Sequence, residues 1–217
     1  MASSAQQAFI DFAIDCGILK FGDFTLKSGR QSPYFFNLGE INSGPNLALL
    51  GRFYAAAIAA MPKPPEILFG PAYKGIPLAT SIAIALAEQH NIEVGVSFNR
   101  KEAKAHGEGG QIMGRTLQGE VLIVDDVISS GMSALEALGF IEAAGAQCCG
   151  VLVALDREER GREDGRAASL ALAEACGAPV TSLVSLNDIF GFLSESETLS
   201  EHAGRIAAYR NEFGGTR

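Results

Sequence analysis

The residues with the clearest chemical potential are two consecutive carboxylates, Asp125 and Asp126, which follow directly on four apolar residues at 121–124. Four apolar, mostly β-branched residues in a row are typical of a strand buried on both faces. A small polar turn comes next, and an amphipathic helix is predicted to begin near Met132 or Ser133. Open α/β sheets bind ligands at such a corner, where the helix N-terminus offers free N–H groups to a phosphate. Because like charges repel, the carboxylates suit hydroxyls or a metal-bound group, so the segment predicts a site for a phosphorylated sugar.

The same local pattern also fits an ordinary capped core helix behind a strand with an acidic end. This segment alone leaves both interpretations open. A P-loop nucleotide hydrolase is excluded as a third interpretation, because the chain contains no GxxxxGK[ST] motif.

A short cationic cluster stands out in an acidic chain. The 217 residues carry a net charge of −8, which argues against a general nucleic-acid binder because neutralising phosphates needs a basic surface. Yet Arg100, Lys101, Lys104 and His106 fall close together and are followed by glycines. The pattern predicts a mobile flap that brings positive charge to a small anionic ligand, although a solvated charged loop fits it too. His106 is better placed as a phosphate donor than as a metal ligand, because no other histidine or cysteine is near in sequence.

Two further segments hold candidate binding groups. Residues 70–77, GPAYKGIP, form a second strand–turn–helix corner, where backbone amides and Lys74 are candidates for a pyrophosphate site; an ordinary loop is the alternative. In the predicted hairpin that contains Lys27, the adjacent Phe35 and Phe36 suit a flat anionic ring. Two strand phenylalanines are more often plain core.

Arg157 directly follows a predicted strand that ends at Leu155 and Asp156. A guanidinium at the carboxyl end of a strand could fork onto a ligand carboxylate. It could equally pair with the neighbouring Glu158 or Glu159.

Strand and helix patterns alternate along the chain, which predicts an α/β fold with a mostly parallel sheet. The length and the 47% hydrophobic content fit a single domain, 1–217, with an ample core. Within it, we expect a small N-terminal hood and entry helix at 1–62, the sheet core at 63–186 and C-terminal helices at 187–217. Two short strands, 18–21 and 24–27, are predicted before the hairpin turn, a glycine-rich loop is predicted at 101–114, and Asn187 is the predicted cap of the first C-terminal helix.

The cysteines and the apolar segments indicate the cellular compartment in which the protein is expected. The four cysteines form no CxxC pair, and we expect buried, reduced thiols in a cytoplasmic protein. The longest apolar helix is interrupted by Gly51 and Arg52, so nothing is expected to span a bilayer. We also expect no signal peptide, because no basic flank precedes an apolar run near the N-terminus.

Five motifs together resemble the bacterial orotate phosphoribosyltransferases of the type I phosphoribosyltransferase family. They are KSGRxSPYFF from Lys27, GPAYKGIP from Gly70, NRKEAKxHGEGG from Asn99, the acidic loop from Val121, and DRxERG from Asp156. The resemblance covers almost the whole chain and implies a parallel-sheet core with a small N-terminal hood. It implies transfer of 5-phosphoribosyl from 5-phosphoribosyl 1-pyrophosphate (PRPP) to orotate, which gives orotidine 5′-monophosphate and pyrophosphate in pyrimidine biosynthesis.

The resemblance also implies roles for individual residues. PRPP would be bound by Lys27, Tyr73, Lys74, Arg100, Lys101, Lys104, His106, Asp125, Asp126, Val127, Ile128, Ser129, Ser130, Gly131, Met132 and Ser133. Among these, the catalytic groups would be Lys101, Lys104, His106, Asp125 and Asp126, and orotate would be held by Phe35, Phe36, Ser129 and Arg157. Mg²⁺ would be held mainly by PRPP and water rather than by a protein site, and a homodimer would share its flaps between subunits.

Two positions depart from the family pattern. Met132 stands where a second threonine is usual, so one hydroxyl toward the phosphate is lost, and Ser133 or backbone N–H groups could compensate. Ser129 stands where threonine is common and keeps the hydroxyl.

Two rival functions share the same phosphate loop. A purine or uracil phosphoribosyltransferase is disfavoured by Phe35, Phe36 and Arg157, because a neutral base needs no carboxylate partner. A PRPP-sensing regulator without enzymatic activity is disfavoured by the lysine-rich flap and the acidic composition.

Overall fold

A computed structural model describes residues 3–26, 29–101, 111–128, 131–161 and 165–216. Its helices are α1 (Ser4–Asp15), α2 (Gly44–Ala59), α3 (Gly75–His90), α4 (Met132–Ala143), α5 (Ala168–Cys176), α6 (Leu186–Glu195) and α7 (Ser200–Phe213). Its strands are β1 (Leu19–Thr25), β2 (Gln31–Phe36), β3 (Ile67–Phe69), β4 (Gly95–Asn99), β5 (Ile112–Gly114), β6 (Glu120–Ile128), β7 (Gln147–Asp156) and β8 (Val180–Ser185).

The centre of the molecule is a six-stranded sheet in the order β5-β4-β3-β6-β7-β8. Its pairs are parallel except at the edge, where β5 runs antiparallel to β4. Alternate side chains of β6 enter two separate core layers. Leu122 and Val124 pack in the layer that contains α1, α2, α3 and α6, whereas Val121 and Ile123 pack in the layer that contains α4 and α5. Helices therefore cover both faces of the sheet, which is why β6 begins as an unbroken apolar run.

The hood is the antiparallel hairpin β1–β2, which forms a separate two-stranded sheet. It rests on α7, where Phe21 stacks on His202 with ring centroids 5.2 Å apart. Tyr34 packs edge-on against Tyr209 at 5.8 Å. The hairpin is thereby fixed to α7, and its buried residues Leu19 and Phe36 join the core layer on one face of the central sheet.

The predicted α/β class, the parallel core and the hood are confirmed, with corrections to individual elements. The patterns predict two short strands before the hairpin turn, but β1 is continuous from Leu19 to Thr25 with an irregularity in its pairing between Phe21 and Phe24. Strand β5 lies inside the segment predicted to be a loop. The predicted cap of α6, Asn187, is wrong, because Ser185 caps the helix through a reciprocal box with Asp188.

The subdivision of the single domain at residues 62 and 186 stays a prediction. Within the described residues, no helix is both long enough and apolar enough to cross a membrane.

Candidate active site

The two carboxylates lie within β6, not after it, because the strand continues through Ile128 and pairs with β7 as far as Asp156. The Oδ1 atom of Asp125 accepts a hydrogen bond from the Asp126 N–H at 2.8 Å, and Oδ1 of Asp126 accepts one from the Val127 N–H at 2.8 Å. The hydroxyl of Tyr54 in α2 donates to the Asp125 carbonyl oxygen at 2.8 Å. These bonds fix both carboxyl groups at the carboxyl end of the central strand.

Burial, and after it the neighbouring charge of Asp126, raise the pKa of the Asp125 carboxyl to about 7. An ionised carboxylate in this position is costly unless hydroxyl groups or a cation approach it. Asp125 is therefore a poor structural residue and a good acceptor for a ligand that brings such groups.

Among the described residues, Lys74 provides the positive charge that contacts the carboxylate pair. Its Nζ atom donates to Asp126 Oδ2 at 2.8 Å and to Asn37 Oδ1 at 2.9 Å. The lysine side chain is about half exposed, at 52%, so its charge faces the open side of the pair. Asn37, which also caps the short 3₁₀ helix Leu38–Glu40, holds the ammonium group from the hood side.

The corner that carries Lys74 is built on close backbone contact. A Cβ atom at Gly70 would lie 2.0 Å from the Gly75 carbonyl oxygen, so only glycine fits there. The Oδ1 atom of Asn99, which is 5% exposed, accepts a hydrogen bond from the Ala72 N–H at 2.8 Å. The peptide bond between Ala72 and Tyr73 is cis. The turn after β3 is thus fixed by the end of its neighbour β4.

Further cationic groups stand at the end of β4, where the cationic cluster predicted from sequence begins. The Lys101 Nζ atom lies 5.0 Å from the centre of the Tyr73 ring, and the Tyr73 side chain is otherwise exposed, at 66%. Arg100 has a buried Nη1 atom with no hydrogen-bond partner in the described part of the chain. Since β4, β3 and β6 are neighbours in the sheet, their carboxyl ends bring these cations and the carboxylates to one edge.

Helix α4 opens toward the same edge. Gly131 precedes it with φ = 72°, a conformation that favours glycine, and no side chain among the described residues caps the helix. A small cavity lined by Asp125, Gly131, Met132 and Ser133 lies between β6 and the first helical turn. The arrangement offers backbone N–H groups and the positive end of the helix dipole to an anion.

Met132 lies at the first position of α4 with 66% of its surface exposed, so its side chain contributes little packing. We expect Met132→Thr to tighten PRPP binding by about 0.5–1.5 kcal/mol, the range for one neutral hydrogen bond. The measurement is the PRPP dissociation constant, with Met132→Ala as the control that removes the side chain without adding a hydroxyl. Weaker binding of PRPP by the threonine variant would contradict the idea that a hydroxyl is missing here.

The hood places its two phenylalanines on opposite sides of β2. Phe36 is 6% exposed and belongs to the main core. Phe35 is half-buried and stacks on Phe24, with ring centroids 5.5 Å apart. Phe36 is therefore a core residue, which was the alternative to ring binding in the sequence analysis. Contact of Phe35 or Phe36 with a ligand stays a prediction.

Arg157 is 7% exposed and is bonded within the protein. Its Nε and Nη2 atoms contact Glu159 Oε1 at 2.8 and 2.6 Å, and Nη2 also donates to the Tyr209 hydroxyl at 3.2 Å. The sequence allowed a ligand carboxylate, Glu158 or Glu159 as the partner of Arg157, and the structure shows the pair with Glu159. The Arg157 guanidinium also stacks on the Tyr34 ring, with Cζ 5.0 Å from the ring centroid.

Several predicted site residues fall outside the part of the chain that the structure describes: Lys27, Lys104, His106, Ser129 and Ser130. The residues that the structure brings together at one edge are Tyr73, Lys74, Arg100, Lys101, Asp125, Asp126, Gly131, Met132 and Ser133. Val127 and Ile128 continue β6 beside them. The positioning groups Asn37 and Tyr54 were not predicted, because each is a single polar residue outside the motifs. Asn99 lies in a motif without a predicted role, and Glu159 was predicted only as a possible partner of Arg157.

The described residues contain no group of three or more histidine, cysteine, aspartate or glutamate side chains that could hold a metal ion alone. The available donors are the two carboxylates of Asp125 and Asp126. Mg²⁺ is commonly bound by one or two carboxylates together with substrate phosphates and water. The donor set therefore fits Mg²⁺ that is brought with a phosphorylated substrate.

A model for the phosphoribosyl transferase domain matches residues 37–169, a range that contains the carboxylate pair, Lys74 and Arg157. This match defines the class of protein.

Relatives that span the chain define it more narrowly. The orotate phosphoribosyltransferase of Chromohalobacter salexigens is 53% identical over 221 residues, which cover 96% of this chain and 94% of that protein. The Pseudomonas fluorescens enzyme of the same name is 55% identical over 211 residues, with coverage of 96% and 98%. The crystal structure of the Francisella tularensis orotate phosphoribosyltransferase matches with a TM-score of 0.84 and 36% identity over 96% of this chain and 100% of that one. The chain belongs to the phosphoribosyltransferase family and, within it, to the orotate phosphoribosyltransferases.

Proposed function

We propose that this chain transfers the 5-phosphoribosyl group from PRPP to orotate with the help of Mg²⁺, forming orotidine 5′-monophosphate and pyrophosphate. The observation that carries the proposal is the meeting of Asp125, Asp126 and Lys74 beside the open N-terminus of α4. Carboxylates and phosphate-binding amides at one edge match a substrate that has both ribose hydroxyls and phosphates.

In the proposed reaction, the bond from C1′ to the pyrophosphate oxygen breaks and a bond from C1′ to a ring nitrogen of orotate forms, while the proton of that nitrogen is released to pyrophosphate and solvent. The ribose gains positive charge as pyrophosphate leaves, so catalysis consists mainly of positioning and charge stabilisation. Asp125 and Asp126 bind the ribose hydroxyls and place negative charge beside them. The first turn of α4 binds the 5′-phosphate, while Lys74, Lys101, Lys104 and His106 offset the charge that develops on pyrophosphate.

Mg²⁺ would enter with PRPP, would be held near Asp125 and Asp126, and would supply positive charge that offsets the charge of the leaving pyrophosphate. An ionised pair would bind the metal-bearing substrate better than a protonated one. Burial raises the pKa of the Asp125 carboxyl in the free protein. Positive charge brought with PRPP would favour the ionised form, so we expect PRPP binding to lower that pKa.

The base would be held by the opposite side of the cleft, with Arg157 on the orotate carboxylate and Phe35 and Ser129 beside the ring. We expect Arg157→Ala to raise the orotate KM about ten- to a hundredfold, because a charge-assisted hydrogen bond contributes roughly 1.5–3 kcal/mol. The PRPP KM should stay nearly unchanged. Steady-state kinetics with each substrate varied in turn would check this, and equal losses for both substrates, or none, would contradict the assignment.

The direct test of the function is pyrophosphate release from PRPP in the presence of Mg²⁺ and one of four bases: orotate, uracil, hypoxanthine or adenine. We expect orotate to be the only one of the four bases that causes release of pyrophosphate. Release with a neutral base would favour the rival phosphoribosyltransferases, and PRPP binding without any release would favour a regulator. Repeating the orotate assay with EDTA tests the metal, and undiminished activity would contradict Mg²⁺ dependence.

The proposal includes a homodimer in the cytoplasm, with each flap closing over the neighbouring site. Support for a reducing compartment comes from the four cysteines, which are all free thiols. The dimer rests on the family resemblance, and closed twofold dimers are the commonest oligomers of soluble chains.

A further inference from the structure

Glu159 is the centre of a charged network that we call the arginine cluster: Arg30, Arg157, Glu159, Tyr209 and Phe213. One carboxylate oxygen, Oε1, accepts from Arg157 and from the Tyr209 hydroxyl at 2.6 Å. The other, Oε2, accepts from Arg30 Nη1 at 2.9 Å. The Glu159 side chain is only 11% exposed, so these donors have replaced most of its contact with water.

The charges in the cluster do not balance. Two guanidinium groups face a single carboxylate, and Tyr209 remains neutral because burial raises the pKa of its hydroxyl. Counted over these five residues, the cluster carries one excess positive charge; the nearby Asp156 carboxylate, which accepts from the Glu158 N–H, lies outside it. Arg30 is held in place by Phe213, whose ring centre lies 4.4 Å from its Cζ atom, and its side chain is 29% exposed.

The distribution of this excess charge depends on Arg30. Without Arg30, Glu159 would neutralise Arg157 completely, and a second carboxylate approaching Arg157 would meet a pair with no net charge. With Arg30 present, the negative charge of Glu159 is shared between two cations. The buried guanidinium of Arg157 then keeps attraction for one more anion, in a setting where water screens charge weakly.

We propose that Arg30 is a specificity-determining residue that acts through Glu159 and Arg157 and favours a base with a carboxylate over a neutral one. The inference rests on the proposed function, in which Arg157 binds the carboxylate of orotate. Arg30 is a positioning residue in this scheme, because its own guanidinium is bound to Glu159 and not to the substrate.

The test compares Arg30→Gln with the wild type. We expect the orotate KM to rise about tenfold, because Glu159 would then neutralise Arg157 and the orotate carboxylate would meet a pair with no net charge. The PRPP KM should stay within about twofold. The inhibition constant of uracil, a neutral base without the carboxylate, should not change. A purely structural role for Arg30 would weaken orotate and uracil alike.

Arg205→Gln is the matched control. Arg205 lines the same cleft between the hood and α7 and pairs with Asp23, but it does not contact Glu159. Its replacement removes the same charge from the protein surface and should leave the orotate KM unchanged. Arg30→Lys, which keeps the charge, should restore most of the orotate affinity.

The double variant Arg30→Gln, Glu159→Gln restores one excess positive charge at Arg157. Its orotate KM should fall several-fold below that of Arg30→Gln. An orotate KM that is unchanged in Arg30→Gln, or one that rises further in the double variant, overturns the inference. If the wild type releases no pyrophosphate with orotate, the proposed function itself fails, and this result is distinct from the previous two.

Discussion

Asp125→Asn is expected to make the protein more stable and nearly inactive. Burial and the adjacent Asp126 raise the pKa of the Asp125 carboxyl from 3.8 to about 7, so its ionised form destabilises the fold at neutral pH. Asparagine keeps an oxygen that can accept the Asp126 N–H without carrying the charge. We expect the free energy of unfolding to rise by about 2–4 kcal/mol above pH 7, and kcat/KM to fall on the order of 10²–10³-fold.

The stability difference between Asp125→Asn and the wild type should depend on pH. A carboxyl with a higher pKa in the folded state than in the unfolded state keeps its proton longer when folded, so wild-type stability falls as the pH rises from about 4 to about 7. The advantage of the asparagine variant should therefore be absent below pH 4 and complete above pH 7. Urea unfolding of both proteins at a fixed protein concentration, at pH 4 and at pH 7.5, measures it.

Asp188→Asn is the matched control, since the same chemical change should have the opposite effect there. Asp188 accepts hydrogen bonds from the Ser185 backbone and hydroxyl in the capping box of α6. Its replacement should lower the free energy of unfolding by about 0.5–1 kcal/mol and leave activity intact. A loss of stability in Asp125→Asn at pH 7.5 would show that the Asp125 carboxylate is a structural group.

Two inactive variants are expected to regain activity when they are mixed. If each flap closes over the partner's site, a Lys104→Ala chain offers intact carboxylates and an Asp125→Asn, Asp126→Asn chain offers an intact flap. Equal mixing with free exchange makes half of the dimers hybrids, each with one intact site. Activity should recover to about a quarter of the wild-type value.

The control for this mixture pairs two lesions on the same side of the site. Lys74 contacts Asp126 within one chain, so mixing Lys74→Ala with the double asparagine variant should give no recovery. Copurification of differently tagged chains shows that subunits exchange. A Lys104→Ala mixture that exchanges and remains inactive would contradict the shared site. Lys101, which lies against Tyr73 of its own chain, is a weaker choice for this lesion.

The fold was largely predictable because strands and helices here carry strong patterns. The apolar runs of β3 and β6 and the proline near the start of α2 each predict an element that is present. Strand β5 escaped prediction because it has three residues, follows a charged glycine-rich stretch and pairs only at the sheet edge. The cap of α6 was misplaced by two residues, although the Ser185-x-x-Asp188 spacing of a capping box was available in the sequence.

The site was predictable where it depends on the ends of neighbouring strands. That rule alone predicts that Lys74 and Asp126 meet, as they do. It does not predict Asn37, Asn99 or Glu159, whose partners lie 37, 27 and 129 residues away along the chain. Such contacts depend on the tertiary path of the backbone, about which residue spacing carries no information.

The arginine cluster has a consequence for the order in which the molecule is completed during synthesis. Arg30 emerges early, but its partner Glu159 is made only after β7, and the supporting Tyr209 and Phe213 are added with α7. Lys74 and the carboxylates, by contrast, are all made before residue 127. A nascent or proteolytically shortened chain without α7 would thus hold the residues proposed for the sugar phosphate while Arg157 lacked part of its support. Base selection would therefore be acquired after binding of the sugar phosphate, and a cut that removes α7 would affect base selection first.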